Sequence, residues 1–218
     1  MKLWIHEIWL LLLAAIFILA QAFFTKPTQE PRLSYVAPPV EIKYIAAGFQ
    51  KQLSDTFWLR SVQDTEYCEN KKTEAECAGK SWFYNIINLV VNLDDEFIEA
   101  YYYGGLSLTI LINDYTGATA IFDKAVVKFK HEWPLLYLAA YHALFEEKNK
   151  AKAAQLYLAA ANNGAPSWVR LSAGRLAAEG GSENVAEEIL QQMIQLEQDE
   201  KWIKELKSKL EQQKKLKQ

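Results

Sequence analysis

Ala118-Thr119-Ala120-Ile121-Phe122-Asp123-Lys124-Ala125 decides how this chain is read, because it returns twice. The small, large and small residues Ala118, Phe122 and Ala125 recur as Ala153, Tyr157 and Ala160. They recur again as Ala186, Leu190 and Met193, after shifts of 35 and then 33 residues. A fixed period of this length marks stacked helical hairpins, because one hairpin cannot bury its apolar face without a neighbour.

Working outward from the echo, each unit reads as an A helix, a short turn and a B helix. The turns Asn113-Asp114-Tyr115, Lys148-Asn149-Lys150 and Gly180-Gly181-Ser182 occupy equivalent offsets and carry turn-forming residues. Small pairs recur in the A helices: Gly104-Gly105, Ala139-Ala140 and Ala173-Gly174. Glycine inside a helix costs about 1 kcal/mol against alanine, so its repeated use predicts close approach of the B helix. The alanine columns then face that gap, while Phe122, Tyr157 and Leu190 fill the space between units. Pro134 and Pro166 stand where new A helices begin, where a missing N–H is harmless.

These residues resemble the tetratricopeptide repeat family over roughly Asp95 to Gln198. The B-helix alanine, large residue and second small residue of that family map onto the echo, and its Gly-Asp-Tyr turn is similar to Asn113-Asp114-Tyr115. Departures are the bulky Leu106 and Tyr141 at a position the family keeps small, Met193 for the second alanine, and the off-register Pro134 and Pro166. The resemblance implies an all-α, tetratricopeptide-like solenoid of about three clear repeats that binds other proteins on its concave A-helix surface. The corresponding offsets fall on Tyr103, Ser107 and Ile110, on Leu138, His142 and Phe145, and on Leu171, Arg175 and Ala178. That row is mostly apolar, with His142 and Arg175 as polar handles for an extended or helical peptide.

A more degenerate unit precedes the clear ones, giving a repeat domain over residues 40–198. A helix is expected from about Val40 to Asp64, where Ile42, Ile45, Phe49, Leu53, Phe57 and Leu59 recur at three- and four-residue steps. Trp58 is expected to serve the packing of the next hairpin. Trp82 to Leu93 is rich in β-branched residues, but its apolar residues do not alternate, so it too is expected to be helix. Between them Cys68 and Cys77 flank a polar insert. Two cysteines without a nearby histidine make no zinc site. In an exported chain they close a disulfide loop worth about 2–3 kcal/mol, and in a cytoplasmic one they remain thiols.

The amino terminus carries the other strong signal. Ile8 to Phe24 holds no charged residue, and residues 3–24 reach the ~20 that a bilayer-spanning helix needs. Trp4 and Trp9 near one end and Phe23 and Phe24 near the other resemble interfacial anchors. The competing reading is a signal peptide cleaved after the small-x-small site Ala20-Gln21-Ala22. Residues 1–25 are therefore expected to be a transmembrane anchor or signal peptide, and 26–39, with Pro27, Pro31, Pro38 and Pro39, an extended linker. This predicts a single-pass inner-membrane location with the repeat domain on the periplasmic side, or a secreted adaptor after cleavage. Residues 199–218 form a capping helix, with Trp202, Ile203, Leu206 and Leu210 as its apolar stripe.

Function follows by elimination as well as by resemblance. A net charge of -3 argues against nucleic-acid binding. His6, His131 and His142 have no metal spacing, and no phosphate loop or nucleophile elbow is present. No cofactor is expected. The Asp94-Asp95-Glu96 and Glu99 carboxylates precede an A helix, where negative charge favours the helix N-terminus. An accessory hydrolase built on them is the different-class alternative. The expected function is a membrane-anchored, non-enzymatic protein-interaction scaffold that helps assemble a bacterial envelope complex.

Overall fold

The computed structural model of the chain describes residues 9, 13–16, 37–63 and 79–216. The chain divides into two units, Met1–Val36 and Ala37–Gln218. In the first, Trp9 and residues 13–16 are helical with exposed side chains. The second is all-α, and no strand occurs among the described residues. Its helices are α1 (Gln50–Gln63), α2 (Trp82–Leu93), α3 (Ile98–Ser107), α4 (Tyr115–Lys128), α5 (Trp133–Phe145), α6 (Lys150–Asn162), α7 (Trp168–Glu179), α8 (Glu183–Gln195) and α9 (Glu200–Leu216). Each packs chiefly on its sequence neighbours, and α9 packs on both α7 and α8.

Among the described residues no helix is long and apolar enough to cross a membrane. The longest, α9, has 17 residues and is charged along its length, whereas a spanning helix needs about 20 predominantly apolar residues. This corrects the expected single transmembrane helix and the single-pass inner-membrane location with a periplasmic repeat domain. Of residues 3–24 only Trp9 and 13–16 are described. The Cys68–Cys77 pair and most of the proline linker lie outside the described residues.

The B helices begin in one repeated way. Ser81, Asp114, Asn149 and Ser182 are their N-caps, and the first three accept a hydrogen bond from the backbone N–H three residues on. A capping side chain satisfies one of the donors that a helix start leaves free. Two residues before the cap of α2, and one before the other three, the backbone turns left-handed at Gly79, Asn113, Lys148 and Gly181. The cap register therefore extends the period back to α2, one unit before the clear echo.

Packing follows the small residues. Ala118, Ala125, Ala153, Ala160, Ala186 and Met193 are all buried, as are Gly104, Gly105, Ala139, Ala140, Ala173 and Gly174. A Cβ on Gly105 would stand 2.7 Å from Cζ of the Phe122 ring, closer than side-chain carbons approach. The helices α3 and α4 thus come together because Gly105 offers no side chain. On its other side Phe122 meets His142 of the next hairpin, with ring centroids 5.4 Å apart. Gly105→Ala gains helix propensity but forces the ring to move, so a net loss of about 1–2 kcal/mol is expected in urea unfolding. Adding Phe122→Leu to that variant should recover part of the loss; a variant as stable as the parent would show that the ring moves freely.

The first hairpin of Ala37–Gln218 differs from its expectation. Its helix starts at Gln50, ten residues later than expected, because Ala47 (φ 48°) and Gly48 (φ 91°) break the chain after a 3-10 turn over Val40–Tyr44. Ile45, Phe49 and Leu59 are exposed, while Ser54 and Ser61 are buried. Small serines let α1 lie against α2, and Ser54 Oγ donates to the Val90 carbonyl at 3.1 Å. Trp58 packs edge-on against Phe97, at 5.6 Å between centroids, and so serves the neighbouring hairpin as expected.

At the other end α9 lays Leu206 and Leu210 into the core. Ion pairs fasten its flank: Lys209 to Glu179 at 2.9 Å, Lys214 to Glu187 at 2.6 Å, and Arg175 to Glu205 at 3.0 Å. Hydrogen bonds from Lys209 and Lys150 hold the Glu179 carboxyl below its usual range.

Candidate protein-interaction face

The A helices α3, α5 and α7 present the residues singled out above, and the structure sorts them into two groups. Tyr103, Ile110 and Phe145 are exposed, with Ser107 and Leu138 half-buried beside them. His142 and Leu171 are buried, at 1% and 7% exposure, and Ala178 is buried with them. Arg175 reaches solvent but is already paired with Glu205 of α9.

The surface that replaces the buried members is aromatic. Tyr141 is exposed and lies 4.5 Å from Phe145 between ring centroids, one helical turn away on α5. Tyr102 and Tyr103 meet edge-on at 4.9 Å on α3. Trp168 opens α7 and contacts Tyr137 of α5 edge-on at 5.7 Å. Residues four apart on a helix share a face, so the Tyr141–Phe145 pair was available in the sequence. It was hidden because α5 is apolar on every side, which removes the contrast that assigns a face.

Below this surface the α3 helix ends in a π-helical turn over Leu108–Ile112, closed by Asn113 in the left-handed conformation. This turn carries Thr109, whose hydroxyl contacts His142. His142 Nδ1 lies 2.9 Å from Thr109 Oγ1, and Nε2 lies 2.9 Å from Thr119 Oγ1 of α4. The Thr109 hydroxyl also donates to the Gly105 carbonyl at 3.0 Å, and the Thr119 hydroxyl to Glu147 Oε1 at 3.2 Å. The imidazole thereby joins α3, α4 and α5. Burial holds it below the ordinary histidine value, opposed in part by the nearby Glu147 carboxylate.

Beside the aromatic surface, between the starts of α3 and α5, lies a cavity of about 290 Å³. Ile98, Pro134 and Leu135 form its apolar lining with Tyr102 and Tyr103, and Glu99 and Glu132 complete it. The other carboxylates of the acidic run are engaged elsewhere. Asp95 pairs with Lys128 at 2.8 Å, and Asp94 and Glu96 each stand 3.8 Å from Lys51. Asp94 also accepts the Glu96 N–H at 3.1 Å. These pairs brace the turn between α2 and α3.

Fold and face together define an all-α chain of consecutive helical hairpins with an aromatic surface on its A helices. Comparison with family models, curated proteins and solved structures finds no match to the chain.

Proposed function

We propose that the chain is a protein-interaction scaffold of the tetratricopeptide-like kind, which holds a segment of a partner protein along its A-helix face. The observation that carries this reading is the set of exposed aromatic residues on the A helices, Tyr103, Tyr141, Phe145 and Trp168, with Ile110 exposed as well. Aromatic side chains bring large contact area at low entropic cost and are enriched where proteins meet. The recurring caps and left-handed turns support the solenoid reading, since successive B helices begin by the same local device.

Photo-crosslinking tests the reading. A benzophenone amino acid at Tyr141 or Phe145 is expected to give a discrete adduct with one partner in the native source, and the same probe at Val127, exposed on α4, is not. Tyr141→Ala with Phe145→Ala should weaken capture of that partner about tenfold or more while the fold persists. Equal crosslinking from both positions, or capture unchanged in the double variant, would move the interface off this face.

A further inference from the structure

The cavity between α3 and α5 has a lining of mixed chemistry. It is chiefly apolar and aromatic, and an exposed glutamate borders it from each helix: Glu99 from the first turn of α3 and Glu132 from the N-cap of α5. Among the described residues neither carboxylate hydrogen-bonds or pairs with a cation of the chain. Glu132 occupies a capping position and makes no capping bond. Acidic groups at helix starts ordinarily favour the macrodipole. That role does not account for a tyrosine-walled recess lying between them.

Asp94, Asp95 and Glu96 stand beside Lys51 or Lys128, which leaves Glu99 and Glu132 as the carboxylates here with no cation among the described residues. Asp94, Asp95 and Glu96 precede α3 in the chain, and Tyr101, buried on that helix, has its phenol pushed up to about 12 by burial and by Asp95 and Asp94. An occupant that satisfies both components has an aliphatic stem and a cationic head. The stem covers the apolar lining, and the head meets the carboxylates and the faces of the tyrosines. An ammonium suits two single carboxylates on separate helices, because it is a compact charge with three rotatable donors. A guanidinium gains most from one carboxylate met bidentately.

We propose that this cavity is a lysine-binding pocket, taking the side chain of a lysine from an extended, basic segment of the partner protein. Glu99 and Glu132 accept from the ammonium, and Tyr102 and Tyr103 wall its stem. A protein segment rather than a free amine is indicated because Tyr103 belongs both to the pocket and to the exposed aromatic set. The residues flanking the lysine have that set to lie on. The assignment rests on the scaffold reading and names the chemistry of its partner.

Amide chemical shifts of the full chain, titrated with capped lysine and with its neutral isostere capped norleucine, test it. Saturable shifts confined to residues 98–103 and 132–135 are expected with lysine. Norleucine should bind about fivefold more weakly or worse, and Glu99→Gln with Glu132→Gln should cut lysine affinity about tenfold. A nonapeptide with a central lysine among leucines should bind more tightly than capped lysine alone. Equal binding of norleucine, tighter binding of capped arginine, shifts elsewhere, or an unaffected double variant would overturn the lysine assignment. Equal affinity of peptide and capped residue would reduce the pocket to a site for free amines, which overturns it as well. These probes need no partner, so their failure leaves the crosslinking result at Tyr141 and Phe145 to stand or fall by itself.

Discussion

Asp114→Ala is expected to cost about 3–4 kcal/mol of stability, because hydrogen bonds to a charged group are worth roughly 1.5–3 kcal/mol each and several are lost together. Asp114 is 1% exposed. Its Oδ1 accepts from the backbone N–H of Gly79 at 2.6 Å and of Gly117 at 2.9 Å. Its Oδ2 accepts from the Ser81 N–H at 3.2 Å and the Ser81 hydroxyl at 2.6 Å. One carboxylate thereby caps α4 and also ties the start of α2 to it. Alanine leaves those donors without their acceptor. Asp114→Asn keeps one oxygen but turns an N–H₂ group toward donors, so it should fall between the two. Urea unfolding with unchanged slope measures the loss. Asp95→Ala, which removes only an exposed pair with Lys128, is the comparison and should cost about 0.5 kcal/mol or less. An Asp114→Ala variant within 1 kcal/mol of the parent, on the same order-of-magnitude scale, would show that the four bonds are replaced on relaxation.

The tie from Asp114 to Gly79 and Ser81 also shows where sequence reading succeeds and where it stops. The echo reports volume and polarity at fixed offsets, and those are the quantities that close packing depends on. Its small columns are accordingly buried throughout, and Trp82–Leu93 is helix despite its β-branched residues. The turn containing Asp114 is legible as a turn. Its bonds to residues 33 and 35 positions earlier are not, because a carboxylate's partners are set by tertiary approach rather than by local pattern.

In the first hairpin, apolar spacing runs through Ala47 and Gly48 with the period of one helix. The left-handed backbone there rotates the two parts, so Ile45 and Phe49 lose their inward face. Pattern reading ranks residues by apolarity, whereas α1 is seated by size, with Ser54 and Ser61 against α2. The interaction face was half legible for a related reason. Tyr103, Ile110 and Phe145 follow from the offsets, but along α5 every side is apolar, and a register error of one residue exchanges Tyr141 for His142. With a tyrosine there, the helix turns the ring outward and draws the imidazole in.

The consequence of drawing His142 inward is a stability that depends on acidity near neutrality. Burial is the first cause that lowers its proton affinity in the folded chain, opposed by Glu147, Asp123 and a backbone hydrogen bond with Tyr115, and reinforced by Lys152. The folded state therefore binds fewer protons than the unfolded state between its depressed value and the ordinary histidine value of about 6.5. Stability from the neutral ring is complete above that ordinary value and is lost as pH falls through the folded one. The Glu179 carboxyl, also depressed, titrates in a lower window and does not confuse the comparison.

His142→Gln removes the titration while retaining hydrogen-bonding capacity toward Thr109 and Thr119. Its stability should stay flat where the parent declines, when unfolding is measured in steps from pH 8 downward. His142→Ala at pH 8 is expected to cost about 3 kcal/mol, since it empties a ring-sized space among three helices. Parallel pH profiles for the parent and the glutamine variant would mean that the ring protonates without penalty. Thr119 makes that outcome concrete: its hydroxyl lies 2.9 Å from Nε2 and 3.2 Å from Glu147 Oε1. On protonation it can accept from the ring and donate to the carboxylate, leaving every member of the network bonded. The pH profile thus decides whether the joint of α3, α4 and α5 resists a proton or absorbs one.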